Sequence, residues 1–424
     1  MVNKIDLILK QVLEKVNPPH EDLKLIDDSV KDFLEKFGKE LQKGKVDAEI
    51  FVGGSVAKKT MIKKGVYDVD VFVRFDAKYD DKTKEELLEK LLKNFEHVSK
   101  VHGSRDYFRI SVAPSFSIEI IPVKKIKNPK EADNITDLSY SHVKYVNSKV
   151  KGKILDDIKV AKAFCHANKC YGAESYINGF SGYGLELLIY HYGSFLKFVK
   201  EVAKHKKDKI VIDLEKDFKN KKEILLDLNG SKLLSPIILI DPTHKQRNVL
   251  AALSDETFEK FKKDCVEFLK NPSLKNFELE KIDFEKMRKT AKSDFVLLKV
   301  STNKQEGDVA GTKLLKFYKH LQKEIEKFFD LKKAEFVYEH EQSAEFGFVG
   351  KAKKEILFNG PFLKDKKNVQ KFKKEHKKTF EKKGKLYAKE KIDFGLEDFI
   401  KSWKRKNGKR MNEMYIESLE IIFI

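Results

Sequence analysis

A chain of 424 residues exceeds a single small core and is expected to divide into roughly two to four domains. Its 87 Lys and Arg against 67 Asp and Glu give a formal charge of +20, which fits a polyphosphate partner but also a lysine-rich solvated surface. Some classes are excluded: no apolar run reaches transmembrane length, and Cys165, Cys170 and Cys265 make neither a metal-binding spacing nor a disulfide framework, so a reducing cytoplasm is the simplest setting.

Residues 1–45 read as two helices broken near Pro18-Pro19, the first amphipathic because Ile5, Ile8, Leu9, Val12 and Leu13 repeat at helical spacing. That segment resembles neither a signal peptide nor a membrane span. A strand at Ala48–Val52 is followed by the turn Gly53-Gly54-Ser55, a helix from Val56 to Lys63 and an acidic strand reaching Phe75. A helix over Lys82–Phe95 and strands at Tyr107–Val112 and Phe116–Ile121, the last ending at Pro122, complete a small mixed sheet. From about residue 136 the pattern turns helical, with long candidates at Asp156–Asn168 and Gly182–Glu201, a strand at Pro236–Ile240, and a helix from Asp255 to Leu269 that stops before Pro272. Beyond lie Phe295–Val300, a helix Thr312–Phe329, Ala334–His340 and Glu345–Phe348, which suggest a second α/β module with a lysine-rich tail. Residues 351–424 hold 22 Lys and Arg against 11 Asp and Glu, so more than half of the positive surplus lies there.

The chemistry is concentrated early. In Asp68-Val69-Asp70-Val71-Phe72-Val73 the valines alternate with other residues, so on a strand both carboxylates share one face, roughly 6 to 7 Å apart. At an effective dielectric of about 20 two such charges repel by about 2 to 3 kcal/mol, and the pair needs a cation nearby. A helix opened by Gly53-Gly54-Ser55 would offer free N–H groups to phosphate. Glu119, flanked by Ile118 and Ile120, is costly in an apolar strand unless paired or bound to metal. Two acids on one strand and a third on its neighbour are what a two-metal nucleotidyl transferase needs, and hard carboxylate ligands favour Mg2+. The bland reading is a surface strand with solvated acids, which leaves Glu119 and the glycines unexplained.

With these motifs the chain resembles an archaeal-type (class I) CCA-adding enzyme, a tRNA nucleotidyltransferase of the DNA polymerase β-like superfamily. The resemblance runs through Asp137 to Val146, Val160-Ala-Lys162 to Tyr171-Gly-Ala-Glu174, Gly179-Phe-Ser-Gly-Tyr183 with Glu186-Leu-Leu, and Asp241-Pro242 with Arg247-Asn-Val249. It implies an α+β multidomain fold: a nucleotidyltransferase palm at 1–135, a mainly helical nucleotide-recognition domain at 136–270, and a C-terminal α/β tRNA-binding body with basic tail at 271–424. The implied activity is template-independent addition of C, C and A to the tRNA 3′ end from CTP and ATP. Two Mg2+ ions would sit on Asp68, Asp70 and Glu119. Gly54, Ser55, Lys58, His142, Lys162 and Tyr171 would hold sugar and phosphates, and Arg247 would read the base edge. These roles suit the side chains: Lys, His and Tyr donate to anionic oxygens, and Arg presents a planar fork.

Three positions depart from the family pattern: Glu119 replaces an aspartate, Lys58 replaces an arginine and loses its bidentate grip, and Leu138-Ser139-Tyr140 replaces Arg-Thr-Pro. Each site residue also has an ordinary reading. His142 suits packing, Lys162 the wet face of its helix, Tyr171 the core beside Gly172, Arg247 an ion pair with Asp241, and Cys165 and Cys170 small buried fillers. By charge alone Lys371, Lys373, Lys374, Lys377, Lys378, Lys404 and Arg405 are the candidate tRNA contacts. A poly(A) polymerase-like or oligoadenylate synthetase-like transferase and an RNA-binding relative with a decayed palm stay open as alternatives. No membrane partner is expected, and monomer and homodimer are equally compatible with the sequence.

Overall fold

The computed structural model describes residues 4–63, 65–103, 105–206, 208–339, 341–376 and 378–424. The chain divides into two compact units, Met1–Glu280 and Lys281–Ile424.

The first unit opens with helices α1 (Lys4–Val16) and α2 (His20–Lys43), separated at the prolines as expected. Strand β1 (Ala48–Val52), the short helix α3 (Gly54–Ala57), β2 (Tyr67–Phe75), α4 (Asp81–Leu92), β3 (Val98–Val101), β4 (Tyr107–Ala113) and β5 (Phe116–Lys124) follow. They make a five-stranded sheet in the order β1-β2-β5-β4-β3, with β2 and β5 parallel and the other neighbours antiparallel. Val69, Val71 and Val73 are fully buried under Phe33, Phe37, Leu88 and Leu92 of α2 and α4. That burial fixes which face β2 turns to the core and so sends Asp68 and Asp70 to the opposite one.

Two expectations need correction here. The helix anticipated over Val56–Lys63 is a single turn, because Lys59 adopts a left-handed φ of 56° and Thr60 is drawn into a buried network instead of continuing the helix. Strand β5 also runs past Pro122 to Lys124, where Pro122 pairs with Val73 and its carbonyl accepts from Arg105.

The rest of this unit holds α5 (Ser139–Lys149), α6 (Lys153–Ala167), α7 (Gly182–Tyr192), α8 (Phe195–Lys204), β6 (Ile210–Ile212), α9 (Lys221–Asp227), β7 (Ile237–Asp241), β8 (His244–Asn248) and α10 (Asp255–Lys270). The long helix expected over Gly182–Glu201 is two helices: Gly193 takes a left-handed φ of 76° and Ser194 caps α8 through the Lys197 N–H. A core of Phe164, Phe180, Phe195, Phe198, Phe261 and Phe268 ties α6, α8 and α10 to the loop before α7.

The second unit contains α11 (Phe284–Thr290), β9 (Asp294–Thr302), α12 (Asp308–Glu326), β10 (Phe329–Tyr338), β11 (Ser343–Ala352), β12 (Glu355–Phe362), α13 (Lys366–Glu375), β13 (Thr379–Lys382), β14 (Lys385–Lys391), α14 (Leu396–Lys406), α15 (Gly408–Glu413) and β15 (Ile416–Ile422). One sheet has the order β10-β11-β9-β15, a second the order β12-β14-β13. The lysine-rich tail is therefore folded, with Trp403 buried against Phe317 and the final strand paired to β9. The strand anticipated over Ala334–His340 starts earlier, at Phe329, and His340 lies outside the described residues. Among the described residues no helix is long and apolar enough to cross a membrane.

Candidate active site

Strand register brings the acids together. In the parallel pair β2/β5, Asp70 lies opposite Glu119 and Asp68 opposite Ser117, so the three carboxylates start from one face of the sheet. Asp68 is exposed, and Asp70 and Glu119 are half-buried. The Ser117 hydroxyl donates to Asp68 Oδ1 at 2.9 Å. Arg109, opposite Glu119 on the antiparallel strand β4, donates to Glu119 Oε1 from Nη2 at 2.8 Å and from Nε at 3.2 Å.

The glycine turn is built onto this face. The Gly53 N–H donates to the Asp70 backbone carbonyl at 2.8 Å. Gly54 has φ of 59°, and a Cβ there would collide with the Asp70 carboxylate, while one on Gly53 would strike the Phe72 ring. Both positions require glycine for closeness, and Gly54 requires it for its left-handed conformation as well. Ser55 follows directly and so stands beside the acids, but on a four-residue turn whose macrodipole is small, not on the full helix anticipated.

Among the described residues no three His, Cys, Asp or Glu side chains already stand as a metal-holding cluster. The donor chemistry of Asp68 and Asp70 nonetheless fits a hard divalent cation. Glu119 is paired instead with Arg109, its side chain 17% exposed against 41% for the arginine.

The other predicted residues converge on the first turns of α7. Lys58 Nζ donates to Glu186 Oε2 at 2.7 Å, and Lys162 Nζ to Glu186 Oε1 at 3.1 Å, to Thr60 Oγ1 at 2.8 Å and to the Thr60 carbonyl at 3.1 Å. Thr60 Oγ1 in turn donates to Glu186 Oε1 at 2.7 Å. Glu186 is 0% exposed and Lys162 only 3%, so the wet-face reading of Lys162 fails. Burial alone would raise the Glu186 carboxyl, but the charges of Lys58 and Lys162 outweigh it and hold the group at about 2.

A second buried acid, Asp241, organises the neighbouring group. Arg247 Nη1 donates to its Oδ2 at 2.6 Å, His142 Nε2 lies 3.0 Å from the same oxygen, and Tyr183 and Thr243 donate to Oδ1. Burial lowers the His142 pKa more than Asp241 raises it, and its Nε2 proton is assigned from the Asp241 contact. Burial would raise Asp241, yet His142 and Arg247 hold it well below the usual carboxylate range. The ion pair weighed for Arg247 from sequence is therefore present. Tyr183 stacks on His142 at 4.0 Å between ring centroids, with Lys58 Nζ 5.8 Å from the Tyr183 centroid. Tyr171 stacks on His166 at 4.1 Å, and its hydroxyl lies against Gly182, where a Cβ would sit 2.8 Å away.

Sequence reasoning missed Glu186, Thr60 and Arg109, and weighed Asp241 only as an ion-pair partner of Arg247. Glu186 carried a readable signal, an acid inside Leu185 to Ile189, the same signal that singled out Glu119. Asp241 closes an apolar strand in the same way, whereas Arg109 becomes significant only through strand register. The three cysteines are buried and free. Lys371, Lys373 and Lys374 lie on α13, Lys378 just beyond it, and Lys404 and Arg405 on α14, all exposed; Lys377 is outside the described residues.

Residues 30–137 match the nucleotidyltransferase domain family, and residues 156–278 match the second domain of tRNA nucleotidyltransferases. The CCA-adding enzyme of Nanoarchaeum equitans is 41% identical over 241 residues, 56% of this chain and 59% of that protein. Those of Methanocaldococcus jannaschii and Archaeoglobus fulgidus are each 28% identical, covering 92% and 99% of this chain and 88% and 95% of theirs. Among solved structures the Cid1 poly(U) polymerase has a TM-score of 0.50 at 14% identity, over 65% of this chain and 98% of that one, which speaks to the fold alone.

Proposed function

Because the chain belongs to the tRNA nucleotidyltransferase family of the archaeal CCA-adding enzymes, we propose that it adds C, C and A in turn to the tRNA 3′ end from CTP and ATP, without a template. The terminal hydroxyl attacks the α-phosphorus of the incoming nucleotide, a new phosphodiester forms, and pyrophosphate leaves. The observation that carries this reading is the register of Asp70 opposite Glu119 beneath a glycine turn so close that a Cβ on Gly54 would strike the Asp70 carboxylate.

Asp68 and Asp70 would hold two Mg2+ ions, with Glu119 as the further ligand once turned from Arg109. Bound there, the ions would offset charge on the triphosphate and make the attacking hydroxyl more acidic. Ser55 and the Gly54 turn would take triphosphate oxygens, and Lys58 and Lys162 would supply cationic donors beside them. His142 and Tyr171 would border the sugar and phosphates. Arg247, anchored through Nη1 on Asp241, would turn its remaining donors to the base edge.

In this reading residues 1–135 act as palm, 136–270 as nucleotide-recognition domain and 271–424 as tRNA-binding body, working in the cytoplasm. The grip on tRNA would be to phosphate and A-form shape, since one enzyme must accept every tRNA. Exposed Lys371, Lys373, Lys374, Lys378, Lys404 and Arg405 supply the charge, so tRNA affinity should fall steeply between low and physiological salt in a filter-binding titration; a flat response removes the electrostatic grip.

The deciding experiment supplies tRNA transcripts ending before CCA, after C and after CC with CTP, ATP or both. Ordered extension that stops after A is the expected result. Addition of A without two preceding C residues would instead establish a poly(A)-type enzyme, and no pyrophosphate release would leave an RNA-binding protein.

A further inference from the structure

We infer that Glu186 is a positioning residue for nucleotide binding: one buried carboxylate holds Lys58 and Lys162 together and presents them to the triphosphate as a preset pair carrying one net positive charge. The inference rests on the nucleotidyl-transfer reading above and assigns a role to a side chain outside its proposed contacts.

Three observations support it. Glu186 uses a different oxygen for each lysine, Oε2 for Lys58 and Oε1 for Lys162, so the side chain sets their separation as well as their charge. Thr60 bridges the two partners: its hydroxyl donates to Glu186 and accepts from Lys162, and its N–H donates to the Ser55 carbonyl at 2.9 Å. The network therefore locks the far end of the same turn that places Ser55 beside Asp70. Lysine donors are also unequally used. Among the described residues the Lys162 ammonium donates to Thr60 and to Glu186, while that of Lys58 donates to Glu186 and keeps N–H capacity for an incoming oxygen.

The charge balance gives the carboxylate a purpose beyond stability. Two buried ammonium groups without an anion would repel each other and lose protons or disperse. Two anions would cancel the field that a triphosphate needs. One carboxylate between two ammonium groups leaves a formal surplus of +1 at a fixed place. A glutamine there has one carbonyl oxygen, so whichever way its amide turns, one lysine faces an NH2 group in place of an acceptor.

Steady-state kinetics on the full chain test this. In Glu186→Gln, KM for CTP and for ATP should each rise about tenfold, the size of one lost charge-assisted contact. The kcat at saturating nucleotide and the KM for tRNA should stay within about threefold of the parent values. Glu186→Asp keeps the charge on a shorter arm and should recover part of the nucleotide KM; it also serves as the test if the glutamine variant does not fold. A role confined to folding would lower the melting temperature and the active fraction without moving KM, so an unchanged nucleotide KM in either variant overturns the inference. Absence of extension by the parent protein would instead overturn the functional reading, and the two failures cannot be confused.

Discussion

Two sets of acids lie within the first unit, and the protein treats them oppositely. Asp68, Asp70 and Glu119 stand on the open face of the β2/β5 pair, exposed or half-exposed, with Ser117 and Arg109 as partners. Glu186 and Asp241 are 0% exposed and saturated with internal donors. A carboxylate with its cations built in can only position them. One left at a surface beside like charges keeps its affinity for a cation from solution, and the difference separates the proposed metal face from the proposed nucleotide shell.

The largest effect should break the open set. Asp70→Asn is expected to cut tRNA extension about a thousandfold or more, since several kcal/mol of charge stabilisation disappear at 1.36 kcal/mol per decade, while tRNA binding in the same preparation survives. Undiminished synthesis would remove the metal assignment. The closed set should respond in stability. Lys162→Met leaves Glu186 with a single lysine, and breaking a buried pair from one side costs about 3 to 5 kcal/mol, visible as a lower denaturation midpoint.

A smaller, graded effect concerns pH. The folded Glu186 carboxyl titrates at about 2 against an ordinary 4.5, so its contribution is full above 4.5 and is lost as pH falls through the folded value. Melting temperature should therefore decline between about pH 4.5 and 2, and Glu186→Gln should flatten that part of the profile. The smallest change is expected at Arg109. Its pair with Glu119 is 41% and 17% exposed and worth about 0 to 1 kcal/mol. Arg109→Gln should thus shift the Mg2+ concentration for half-maximal extension downward by no more than about fivefold, because the arginine no longer competes for the carboxylate.

Much of the palm was legible because its signals are local. Alternation in Asp68 to Val73 fixed both the strand and the shared face of the acids, and an acid between isoleucines marked Glu119 as unusual. The helix expected over Val56–Lys63 failed for a long-range reason: Lys58 and Thr60 are captured by Glu186, 128 and 126 residues away, and that capture outweighs helix propensity. The break at Gly193 was readable in principle, since a glycine followed by serine can end one helix and cap the next. The folded tail was obscured because β15 pairs with β9, more than a hundred residues earlier in the chain.

The sequence by itself determined the core-facing valines of β2, the same-face acids and the glycines that let a turn approach them, because these follow from periodicity and backbone sterics within a few residues. Only the tertiary structure decided which cation answers Glu119 and Glu186: Arg109 for the first, Lys58 and Lys162 for the second. Ion pairing depends on distance and dielectric, and both are set by strand register and helix packing between segments far apart in the chain.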